Sequence, residues 1–182
     1  MSIFSFNQTE SKHLTFKGVP IDGTLKKFVR KMKAAGFTYE NGKKGSVTLQ
    51  GDFAGYKDCS IYVSALQNKD LVCSIGVLFP TFPDWESLER HYHKLKEKLT
   101  TKYGEPTETV EEFQDPDAAK DDDSKLLELK NNHCKYRTFF ETEKGDLVLE
   151  IIADNYKNGR ILLYYYDKIN SLEVEAAAME DL

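Results

Sequence analysis

Between Ser46 and Phe79 the chain alternates apolar and polar residues in three successive runs. That period of two constrains the fold more than any other feature of the sequence. Ser46–Phe53 alternates through Val47 and Leu49, and Cys59–Ala65 through Cys59, Ile61, Val63 and Ala65. Leu71–Phe79 alternates through Leu71, Cys73, Ile75, Val77 and Phe79. Residues two apart on a strand share a face, so each run offers one apolar and one polar side. The connectors are short and polar: Asn41-Gly42 with Gly45, then Ala54-Gly55, then Asn68-Lys69-Asp70. Such turns predict hairpins and therefore an antiparallel sheet, with a short strand at Phe37–Tyr39 leading into it.

Two segments change period. Leu25, Phe28, Val29 and Met32 lie on one helical stripe within Thr24–Ala35, with Asp22 or Thr24 as cap and Gly36 as the left-handed stop. Trp85, Leu88, Tyr92, Leu95, Leu99 and Tyr103 form a longer stripe, opened by Asp84 and closed by Gly104 and Pro106.

The order of elements then recurs. Strands are predicted at Thr107–Phe113, Cys134–Thr142, Asp146–Ala153 and Arg160–Asp167, with turns at Lys144-Gly145 and Asn158-Gly159. Gln114–Asn132 interrupts the pattern as an acidic insertion with room for a short helix at Lys125–Leu129. The expected class is α+β: two tandem helix-plus-antiparallel-four-strand repeats forming one long curved sheet, with helices on one face. Residues 1–80 form the first repeat and 81–170 the second, with the insertion at 114–132. A tail at 171–182 is a frayed helix or disordered, and His13–Lys17 is a candidate edge strand.

Hydrophobic residues at 40% and charged residues at 30% are ordinary for a folded domain. Eleven Phe and ten Tyr predict an aromatic core. No apolar run reaches the ~18 residues of a membrane span. Met1–Asn7 has neither the basic nor the apolar region of a leader, so the expected location is cytoplasmic, or periplasmic or envelope if a leader has been removed. The net charge of −5 conceals an asymmetry. Residues 1–60 carry ten Lys/Arg against five Asp/Glu, whereas 106–182 carry nine against nineteen. The overall acidity disfavours nucleic acid as a partner.

No motif for nucleophilic catalysis, phosphate cradling or dinucleotide binding is present, so no enzyme and no cofactor are expected. Cys59, Cys73 and Cys134 are odd in number and unclustered, which points to small buried residues rather than disulfides or zinc. His91 and His93 sit about 200° apart on a helix, and His133 and Cys134 face opposite sides of a strand, so neither pair can share a metal. The run Asp115, Asp117, Asp121, Asp122 and Asp123 lacks EF-hand spacing and reads as a solvated loop. Lys26, Lys27, Arg30, Lys31 and Lys33 give the first helix a wholly basic outer face. It is a candidate site for an anionic ligand or nucleic acid, or a face answered by the chain's own acidic insertion. In the last strand Leu162, Tyr164 and Tyr166 share one side and Ile161, Leu163 and Tyr165 the other. Only one side can meet the helices. Tyr62, Phe139, Tyr164 and Tyr166 are therefore candidates for a protein- or peptide-binding surface, since tyrosine offers contact area at low entropic cost. A small-ligand site or enzyme would instead need a pocket of convergent polar groups.

Val19–Leu25, Trp85–Leu88, Lys102–Pro106 and Tyr164–Asn170 together resemble a group of small uncharacterised proteins of gut Bacteroidota, over roughly residues 12–170. The resemblance implies a fold similar to beta-lactamase inhibitor protein, with tandem helix-plus-sheet units, and brings no catalytic residues with it. Members often carry a signal peptide.

Overall fold

The computed structural model describes residues 11–66, 69–154 and 157–179. The leader reading at Met1–Asn7, the Asn68 position of one turn and the last residues of the tail lie outside them.

The first strands are β1 (Thr15–Phe16) and β2 (Val19–Pro20), which among the described residues pair only with each other. His13–Lys17 is thus not an edge strand of the main sheet. Lys17 and Gly18 take positive φ, the chain doubles back, and Ile21 N–H donates to Leu14 O at 2.8 Å. The segment satisfies its own backbone while Phe16 and Ile21 enter the core.

Helix α1 (Leu25–Ala34) is capped by Thr24, whose hydroxyl accepts from Lys27 N–H, and buries Phe28 and Met32. Gly36 follows at φ +97°. Next come β3 (Thr38–Lys43), β4 (Ser46–Phe53), β5 (Tyr56–Leu66) and β6 (Leu71–Leu78). Asn41-Gly42, expected as a turn, lies inside β3 beside a bulge, and the hairpin turns at Lys44-Gly45 instead. Gly42 serves a different need, because a Cβ there would stand 2.9 Å from the Tyr39 hydroxyl.

Helix α2 (Trp85–Tyr103) has the limits its stripe predicts, with Asp84 accepting from Ser87 N–H at 2.7 Å. Strand β7 (Glu108–Phe113) follows, then α3 (Asp122–Lys130), which starts earlier than expected because Asp121 and Ser124 form a reciprocal capping box. Strands β8 (Cys134–Glu141), β9 (Gly145–Ala153) and β10 (Gly159–Asp167) complete the second set. Helix α4 (Lys168–Met179) continues directly from β10, so the tail is helical through Met179 and begins before Ser171.

The eight long strands make one antiparallel sheet in the order β3-β4-β5-β6-β10-β9-β8-β7. The two four-strand meanders meet at one seam, where Leu78 pairs with Leu162 and Ser74 with Tyr166. One side of the sheet carries Leu49, Ile61, Val63, Ile75, Val77, Leu147, Leu149 and Tyr165 into a single core. Phe28 and Met32 of α1, the α2 stripe, and Leu126 and Leu129 of α3 join them there. Inside this core the Tyr92 hydroxyl meets Thr138 Oγ1 at 2.5 Å. At one end Asp167 and Asn170, both buried, tie the N-terminal segment to β6 and β10. Asp167 accepts from Leu14 N–H, Asn170 N–H and His13 Nδ1. Asn170 Nδ2 donates to Ile21 O and Val72 O.

Candidate binding surface

The other side of the sheet follows from strand alternation alone. Pairing places Thr48, Tyr62, Gly76, Tyr164, Val148, Phe139 and Glu108 in one lateral row across seven strands. Tyr62, Tyr164 and Phe139, far apart in sequence, share this row, and Tyr166 stands one step along β10. None of the four belongs to the hydrophobic core cluster. Tyr62 is 43% and Tyr166 37% exposed, so both rings are open to contact.

Local packing pre-orders the surface. Tyr164 and Tyr166 stack with centroids 5.6 Å apart at 25°. Gly76 leaves the space beside Tyr164, whose Cε1 would lie 3.1 Å from any Cβ added there. Leu162, buried yet outside the core cluster, lies on this face with Leu78 paired to it across the seam. Arg137 donates from Nε to Glu150 at 2.7 Å and sits 5.6 Å over the Phe139 ring. Burial, and after it the charge of Glu150, raises the phenol pKa of Tyr164. Burial and then Tyr164 raise that of Tyr166. Both phenols therefore remain protonated at neutral pH and can donate hydrogen bonds.

The character of this face changes across the sheet. From β4 to β6 it carries Ser46, Thr48, Gln50, Ser60, Ser64 and Ser74, all uncharged, with Lys43 of β3 paired to Ser46 at the sheet edge. From β9 to β7 it carries the Arg137–Glu150 pair with Asp146 and Glu141. Tyr164 and Tyr166, on β10, lie between, and Tyr62 stands on β5 among the uncharged residues. Gly76, Leu78, Leu162 and Arg137 were not among the expected site residues. The parity that groups Tyr62 with Tyr164 also includes them, once the register across the seam is known.

The other candidates separate. Lys26, Lys27, Arg30, Lys31 and Lys33 are all exposed, and among the described residues none forms an ion pair. The acidic insertion does not answer them: Asp121 caps α3, Asp115 accepts from Asp117 N–H, and Asp117 meets Lys120. Lys33 lies 5.7 Å from the Tyr39 ring. His91 accepts from or donates to the Tyr56 hydroxyl at 2.8 Å and stacks on Phe82, whereas His93 faces Glu111 and His133 faces Glu128. Among the described residues no group of three or more His, Cys, Asp or Glu could hold a metal ion.

Of the cysteines only Cys59 is fully buried. Cys73 and Cys134 are half-buried, because Cys73 sits at the bulge where β5 and β6 shift register and Cys134 at the start of β8. Burial raises the thiol pKa to about 11 at Cys59 and about 12 at Cys134. An open groove of about 510 Å³ near the ends of β8 and β9 includes Arg137 and Glu150, which neutralise each other. Among the described residues no helix is long and apolar enough to cross a membrane. No protein-family model matches the chain, and no curated protein or solved structure matches it either.

Proposed function

We propose that this chain is a non-enzymatic binding protein that grips a protein or peptide partner with the helix-free face of its sheet. The observation carrying this reading is the row that joins Tyr62, Gly76, Tyr164 and Phe139 across both meanders. A stacked tyrosine pair with protonated phenols, beside hydroxyl and amide side chains, suits a surface that buries an apolar segment and satisfies its backbone. Rings held by neighbours lose little entropy on binding.

The finer fold expectation belongs to the same reading. Each half supplies a helix and then a four-strand meander, and the halves meet last strand to last strand. That arrangement supports a tandem repeat with a sheet of the beta-lactamase-inhibitor-protein kind.

The test is affinity capture from lysate of the source cells, with the wild-type chain and a Tyr62→Ser/Phe139→Ser/Tyr164→Ser variant as baits. Circular dichroism first establishes that the variant folds. One stoichiometric partner held by the wild type and lost by the variant supports the reading. A partner held equally by both removes the sheet face from the interaction.

A further inference from the structure

Helix α4 is fixed at its base and leaves its apolar side bare. Asn170 is buried and bonded to Ile21 O and Val72 O, while Leu172 is 60% and Met179 68% exposed. Ile169, Leu172, Ala176 and Met179 step by three, four and three, so they form one apolar stripe, flanked on one side by Glu175 and on the other by Glu173, which pairs with Lys69 of the same chain. A helix of 12 residues gains little stability by itself in water, and such a stripe is ordinarily covered. Within the chain α4 packs at its base on β6, β10 and β9 and leaves the stripe open.

Helix α1 offers the complementary surface. Lys26, Arg30 and Lys33 are spaced four and three apart on its solvent side, next to Val29. Among the described residues they line, with Thr24 and Lys27, a surface hollow of about 570 Å³. The two helices have similar lengths, 10 and 12 residues. One carries uncompensated positive charge beside an apolar strip, and the other negative charge beside an apolar stripe.

We propose that the chain forms a two-fold dimer in which α4 of each copy lies along α1 of the other. Leu172 and Met179 cover Val29 and the alkyl stems of the flanking lysines, while Glu175, which unlike Glu173 is not engaged by Lys69, faces Lys26, Arg30 and Lys33. The contact is reciprocal, so it closes at two copies rather than extending into a filament. Charge selects α1 among the surfaces of a second copy, because the acidic second half would repel α4. The proposal is independent of the sheet-face reading, since the α1 and α4 residues it uses do not include Tyr62, Phe139, Tyr164 or Tyr166.

Sedimentation velocity of the full chain from about 1 to about 200 µM, at low and at high salt, tests it. The expected result is a dimer whose dissociation constant rises about tenfold or more in high salt. Leu172→Glu/Met179→Glu and Lys26→Glu/Arg30→Glu/Lys33→Glu alter exposed side chains, and each is expected to give a folded monomer. An equimolar mixture of the α1 charge-reversed variant with a Glu175→Lys variant, which leaves the Lys69–Glu173 pair intact, should recover one reversed-charge contact per dimer. A wild-type chain that stays monomeric throughout overturns the proposal. So does a dimer that survives the α1 substitutions, which would place α4 against something else.

Discussion

Tyr164 lies across Gly76 of the neighbouring strand, and a Cβ at that glycine would stand 3.1 Å from its ring. The glycine sits mid-strand with no turn to make, so its role is to give the ring room where the two meanders join. Gly76→Ala is expected to change stability by less than about 1 kcal/mol, as ring displacement offsets the stiffer unfolded chain. Gly76→Val should cost about 1–3 kcal/mol by overpacking. Urea denaturation followed by tyrosine fluorescence separates the two. Equal stability of Gly76→Val and wild type would mean that the ring is free to move aside.

Asn170 and Asp167 hold three distant segments together through bonds to Ile21, Val72 and Leu14. Asn170→Ala leaves two buried carbonyls without that donor and should cost about 1–3 kcal/mol. Asp167→Asn removes an acceptor from buried N–H groups and should cost at least as much, about 2–4 kcal/mol. Hydrogen exchange at Leu14 and Val72 should accelerate in both variants. Unchanged protection there would show that the network is not what anchors the N-terminal segment.

The Tyr92–Thr138 pair is fully buried, and each hydroxyl has the other as partner. Tyr92→Phe and Thr138→Val should each destabilise by about 1–3 kcal/mol, because each orphans a polar atom. The double variant should cost less than the sum of the two, with a coupling of about 0.5–3 kcal/mol in a double-mutant cycle. Simple additivity would deny the bond any energetic role.

His91 gives the fold a pH dependence of defined sign. Burial, helped by Arg90 and Lys94, lowers its pKa from the ordinary value near 6.5. The unfolded chain therefore takes up a proton at higher pH than the folded one. The stabilising difference is fully present above about pH 6.5 and is lost as pH falls through the lower folded pKa. Unfolding free energies measured from pH 8 to pH 5 should fall more steeply for wild type than for His91→Gln, whose side chain does not titrate. Parallel curves would exclude His91 as the source.

Helix α2 was legible to the residue, because six apolar positions keep one period and Asp84 and Gly104 mark its ends unambiguously. The strands were legible wherever alternation met a single turn signal. Asn41-Gly42 misled because Gly45 offered a second signal nearby, and space beside Tyr39, a tertiary matter, explains why residue 42 is glycine. The Cys73 bulge and the doubling back at Lys17 and Gly18 likewise depend on contacts that no local pattern encodes.

Tyr62, Phe139, Tyr164 and Tyr166 were readable as a set because strand parity is a local property. Their alignment into a row depends on the pairing of β6 with β10, which links residues far apart in sequence. Leu162 was legible on the side of Tyr164 from alternation within its own strand, but its partner Leu78 was missed for that reason. Leu78 is an ordinary apolar strand residue until the seam places it opposite Leu162.

The seam also sets an order of events during synthesis. Each meander closes through neighbours near in sequence, but Leu78 must wait for Leu162, roughly eighty residues later. Until then Leu71–Leu78 stands as a raw, apolar edge on the nascent chain, the kind of strand that recruits other strands. A chain arrested after the first meander is expected to aggregate where the full chain does not, and light scattering of the released fragment would reveal it. Aggregation during production should thus fall hardest on products that end before β10.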